Sequence, residues 1–183
     1  MERQAALDLV KKYSQKDITY RHLISVEGVM RALARHFGED EDRWGYTGLF
    51  HDLDYDFTEE NLERHALQTV EWLRAEGYED EGVLNAILAH RFPEYRTDLL
   101  SNAIVHADAV AGLLVASALV RPEKANGMKV SSVKKKLKEK SFAPGVNREE
   151  IREVEPSIGI PLDEFLSVTI GGLQEVAPEI GLA

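Results

Sequence analysis

The chain has 183 residues, 44% of them hydrophobic and 30% charged, which is one domain of ordinary size with enough apolar side chains for a core. It contains no cysteine, which excludes disulfides, thiolate metal sites and cysteine nucleophiles. Lys and Arg number 22 against 32 Asp and Glu, and the resulting net charge of -10 disfavours long nucleic acid as a partner.

The apolar residues recur in the helical period throughout, so the predicted fold class is all-α. A single domain over 1–183 is expected, with a core at about 18–120 and a C-terminal helical extension packing on it. Met1-Glu2-Arg3-Gln4 opens directly into an amphipathic helix at 2–14 without a signal peptide, which fits a cytoplasmic location. Residues 18–37 form a longer helix whose apolar stripe is Val26, Val29, Met30, Leu33 and Phe37, with Gly38 as its stop. A segment at 41–53 follows. Thr58-Glu59-Glu60 reads as the start of a helix that continues to Glu76. Helices at 80–91 and 97–120 end before Pro93 and Pro122. A lysine-rich helix at 130–139, a break at Phe142-Ala143-Pro144-Gly145, and helices at 147–154 and 162–176 complete the chain. No apolar run of about 18 residues reads as a membrane span, so no membrane partner is expected.

Six polar residues fall on the apolar stripes of these helices. His22 precedes Val26, Val29, Met30 and Leu33 on one face. His51-Asp52 closes the apolar segment Trp44 to Phe50, one turn beyond Gly48, where a missing side chain lets a backbone or ligand come close. His65 shares a stripe with Leu62, Thr69, Trp72 and Leu73, and His90 with Val83, Ala86 and Ile87. Asp108 sits with Ile104, Ala111, Gly112 and Val115, where an unpaired carboxylate would protonate or destabilise the fold. Taken singly, each histidine reads as a hydrogen-bonded core residue. Taken together, imidazoles and carboxylates facing one core point to a shared cation. Such ligands without thiolate suit one or two divalent ions of Fe, Mn, Ni, Co or Zn, and Mg less well. His36, at a helix end, and His106, about 200° around the helix from Asp108, are expected to lie outside the site.

His22, the His51-Asp52 doublet and Asp108, on separate helices, resemble the HD-domain superfamily of metal-dependent phosphohydrolases. Gly48-Leu49-Phe50-His51-Asp52 and Ala107-Asp108-Ala109 carry the resemblance, which covers about residues 18–120. It implies that His22, His51, Asp52 and Asp108 hold one metal. His65 and His90 resemble the added ligands of the two-metal subgroup, in which the doublet aspartate bridges both ions. Leu53-Asp54-Tyr55-Asp56 departs from the hydrophobic-Gly-Lys continuation of the branch that cleaves cyclic dinucleotides, and no Gly-Tyr-Pro motif is present. Asp54 and Asp56 are open as acid, ligand or surface charge.

The implied activity is hydrolysis of a phosphate ester or anhydride in a small nucleotide or phosphorylated metabolite, by water that the metal acidifies, with His51 and Asp52 central to catalysis. Arg21, Arg91 and the segment Lys134, Lys135, Lys136 to Arg148 are candidate phosphate binders, with a solvated helix face as the alternative for the lysines. The rival readings are a di-iron oxygenase on the same scaffold and a regulatory module that keeps the metal without turnover.

Overall fold

The computed structural model describes residues 1–183, in helices, turns and loops with no strand. The helices are α1 (Arg3–Tyr13), α2 (Asp17–Phe37), α3 (Glu41–Phe50), α4 (Tyr55–Thr58), α5 (Leu67–Ala75), α6 (Glu81–Arg91) and α7 (Leu99–Leu119). After a loop come α8 (Val130–Lys138), α9 (Arg148–Arg152), α10 (Val154–Ile158) and α11 (Leu162–Val176). The all-α expectation holds. Side-chain caps fix several starts. Asp40 accepts from Arg43 N ahead of α3, and Asp80 accepts from Gly82 N and Val83 N ahead of α6. Asp98 and Ser101 form a reciprocal capping box at α7.

The core is built around α2, which packs against α3, α7 and α11. Two close crossings set this arrangement. Gly28 of α2 faces Gly172 of α11, and a Cβ on either would run into the backbone of the other. Gly48 of α3 meets the backbone of Val26 and Glu27, 2.8 Å from where its Cβ would stand. The close approach expected at Gly48 is therefore to α2 itself, and it brings the end of α3 beside His22. Phe165, Leu166 and Leu173 of α11 belong to the same buried cluster as Leu23, Leu49 and Leu113, so the C-terminal segment shares the core.

Four expectations need correction. The helix predicted from Thr58 to Glu76 is interrupted, with turns between α4 and α5. Asp54 is the cause: its carboxylate accepts from Thr69 N at 3.0 Å, and Thr69 Oγ accepts from Asp54 N at 3.0 Å. This clamp starts α5 late and places Ala66 at φ 68, a left-handed turn that aims His65 from a loop rather than from a helix face. Leu62, assigned to the buried stripe, is 48% exposed. The helix expected at 147–154 is split into α9 and α10, with Pro156 in the first turn of α10. Finally, α7 is long and apolar enough by composition to cross a bilayer, contrary to the expectation of no such run, but most of it is buried inside the fold.

Candidate metal centre

Five chain segments deliver the six side chains. His22 comes from the second turn of α2, and His51 and Asp52 from the turn that closes α3. His65 comes from the loop ahead of α5, His90 from the last turn of α6, and Asp108 from the middle of α7. They meet as two groups, His22–His51–Asp108 and Asp52–His65–His90, and within each group the ligand atoms lie within 4.8 Å of one another.

Asp52 spans both groups. Its Oδ1 is 3.2 Å from Nε2 of His65 and 3.2 Å from Nε2 of His90. Its Oδ2 is 3.8 Å from Nε2 of His22 and 3.7 Å from Nε2 of His51. Asp108 Oδ1 is 3.0 Å from Nε2 of His22 and 3.6 Å from Nε2 of His51.

The orientation of the rings tests whether the site fits a cation. Nδ1 of His51 donates to Gly48 O at 2.8 Å, and Nδ1 of His90 donates to Ile87 O. A carbonyl only accepts, so the proton of each neutral ring is on Nδ1 and the Nε2 lone pair faces inward. Nδ1 of His65 is fixed in the same sense by Asp54 Oδ1 at 2.8 Å. Nε2 of His65 and Nε2 of His90 are then 3.0 Å apart, two lone pairs facing each other beside a carboxylate oxygen. That arrangement requires a positive charge at its centre. Donors about 2.0–2.2 Å from one ion stand roughly 3.0–3.5 Å apart, close to the spacings found here. The donor atoms of each group could therefore hold a metal ion, and Asp52 reaches both groups.

Without a metal, protons must serve instead. Burial pushes His51 down, but Asp52 and Asp108 outweigh it and raise its pKa to about 9. Burial likewise opposes His65, yet Asp52 and Asp54 raise it to about 9. Desolvation pushes Asp52 up, while His51, His65 and His90 hold it well below the usual carboxylate range. Asp108, although partly desolvated, is also held low by His22 and His51.

Asp54, open from the sequence as acid, ligand or surface charge, is not surface charge. It is buried, it orients His65 and it caps α5. The signal available was a polar residue two positions after the doublet in an apolar context. Asp56, by contrast, caps the start of α2, accepting from Lys16 N at 2.9 Å and Thr19 Oγ at 2.6 Å. Tyr55, whose ring edge packs on His65, also borders the site.

The cationic candidates separate. Arg21 lines the cleft that opens on His22 and Asp52, with its Nε 2.7 Å from Asp17 and Nη1 donating to Ile180 O at 3.0 Å. Arg91 is exposed and lies over Phe92, outside that cleft. Lys134, Lys135 and Lys136 belong to α8, which packs on α7 and α11 through Val133 and Leu137, and none of them lines the cleft. Lys134 pairs with Asp163 at 2.6 Å, and Lys136 with Glu139 at 3.1 Å. Arg148 is not a phosphate binder. It is buried, and it donates to the carbonyls of Leu137, Glu139, Phe142, Ala143 and Val146, which consumes the guanidinium in holding the loop between α8 and α9. His106 turns away toward Glu150 O, and His36 lies beside Phe37 and Glu164, so neither joins the site.

The model of the HD domain family matches residues 19–113, a span that contains all six of these side chains. No curated protein and no solved structure matches the chain.

Proposed function

Because the chain belongs to the HD domain family, whose members are mostly metal-dependent phosphohydrolases, we propose that it hydrolyses a phosphate ester or anhydride of a small phosphorylated metabolite or nucleotide. The observation that carries this reading is the sharing of Asp52 between two converging ligand groups. A bound divalent metal would supply Lewis acidity toward a phosphoryl oxygen and lower the pKa of water. The chain's own residues do the rest. Gly48 O, Ile87 O and Asp54 lock three imidazoles with Nε2 inward, so no reorganisation is needed as charge develops. His22 and Asp108, part-exposed at 26% and 34%, form the side of the centre open to solvent, so the phosphoryl group approaches there. No serine or cysteine nucleophile is required, in keeping with the absence of cysteine.

The test is phosphate release from mononucleotides, dinucleoside polyphosphates and phosphomonoesters with added Mn or Co. Turnover of a panel member that is lost in Asp52→Ala supports the reading, and no release from any member contradicts it. A second reading, a di-iron oxygenase, is favoured by the same imidazole-rich donor set beside an apolar cleft. Oxygen uptake by iron-loaded protein in the absence of phosphate release would select it.

A further inference from the structure

The metal ligands His22 and Asp52 form one end of a cleft of about 730 Å³ between the start of α2 and the C-terminal half of α7. This is the size of a pocket for a small organic molecule. Its wall continues the stripe of Asp108. Gly112, Val115, Ala116 and Leu119 follow Asp108 by four, seven, eight and eleven residues, so the face that supplies a metal ligand also supplies the cleft wall. Across from it stand Ile18, Ile180 and Leu182.

The mouth is unusually apolar for a surface. Ile18 is 75% exposed and Leu119 is 66% exposed, and Val120 beside them is 63% exposed. The polar groups in the wall are mostly engaged. Thr19 Oγ donates to Asp56, and Arg21 is held by Asp17 and Ile180 O. Arg21 is the sole Lys or Arg in the wall. A polyphosphate would find little counter-charge there, and a nucleobase edge would find few hydrogen-bond partners.

We propose that this cleft is the subsite for the aliphatic body of the substrate, and that the substrate is a single-phosphate ester of a largely aliphatic alcohol, its phosphate directed to the metal centre. The phosphate half of this statement rests on the hydrolase reading above. The aliphatic half rests on the cleft alone. The chain's aliphatic residues shed water from the ligand's body.

The test is calorimetric binding of n-alkylphosphonates, from ethyl to octyl, to manganese-loaded protein, with adenosine 5′-phosphate alongside. Burying each added methylene should tighten binding about three- to fourfold until the cleft is filled. Ala116→Trp, which fills the cleft, should flatten that dependence. Leu119→Ser, at an exposed position that the fold tolerates, should weaken the octyl compound more than the ethyl. Binding that ignores chain length overturns the proposal, as does adenosine 5′-phosphate binding more tightly than octylphosphonate. A dimer that Leu119→Ser converts to monomer in sedimentation also overturns it, because a second copy of the chain then covers the mouth. If chain length is read but the matching alkyl phosphates release no phosphate, the aliphatic subsite stands and the hydrolase reading fails.

Discussion

Asp54 Oδ1 lies 2.8 Å from Nδ1 of His65, and both side chains are buried. The other oxygen of Asp54 accepts from Thr69 N at 3.0 Å. One carboxylate thus starts α5 and sets the ring that faces Asp52. Asp54→Asn keeps the shape but puts an amide N–H against one of its two donor partners. We expect affinity for the metal at Asp52–His65–His90 to fall about 10–100-fold, measured by competition with a chelating dye. Unchanged affinity in a folded variant would show that Asp54 only caps the helix.

Gly48 lets α3 cross α2 at backbone contact, and that crossing sets His51 3.3 Å from His22 between their Nε2 atoms. In Gly48→Ala the new methyl would sit 2.8 Å from the α2 backbone. The helices must separate, at a cost of about 1–3 kcal/mol in stability. The metal held by His22, His51 and Asp108 should weaken more than the other, which metal titration of the variant resolves. A native melting temperature would contradict the crossing.

The metal-free protein should depend on pH in a defined direction. His51 and His65 titrate at about 9 in the fold, against about 6.5 for an ordinary histidine in the unfolded chain. A raised folded-state pKa means that the stabilisation is full below about 6.5 and is lost as pH rises through about 9. Melts of chelator-treated protein should therefore show Tm falling across that window. Metal competes with those protons, so the stabilisation it confers should grow over the same window. A flat metal-free Tm between these pH values would count against the imidazolium–carboxylate pairing.

The basic stretch divides into structure and surface. Arg148→Ala strips a buried guanidinium from five carbonyls and should cost about 2–4 kcal/mol, seen as a lower denaturant midpoint. The triple change of Lys134, Lys135 and Lys136 to Ala should leave KM for phosphorylated substrates unaltered, because none of the three lines the cleft. A severalfold rise in KM would return the lysines to the site.

The helices with a clean stripe and a stop were legible: α2 with Gly38, α6 before Pro93, and α7 all lie within two residues of expectation. The gathering of His22, His51, Asp52, His90 and Asp108 was legible because polar residues on apolar stripes need a common partner, and the structure brings these side chains together with His65. The turn that carries His65 was not. Residues 58–76 have helical composition, and what breaks them is a carboxylate eleven residues before His65, a contact that no local period encodes. Arg148 misled for the same reason. Its charge is visible in the sequence, and the five carbonyls that absorb it are not. The cleft was half visible, since Gly112 and Val115 already shared the stripe of Asp108.

Two groups of candidate ligands meet at Asp52. Metal-to-protein ratios of wild type, His90→Ala and Asp52→Ala, each loaded with manganese and desalted, test this most directly. Loss of one ion in His90→Ala, and of substantially more in Asp52→Ala than in His90→Ala, is the expected result. An Asp52→Ala protein that is folded and retains the full wild-type metal content would contradict it.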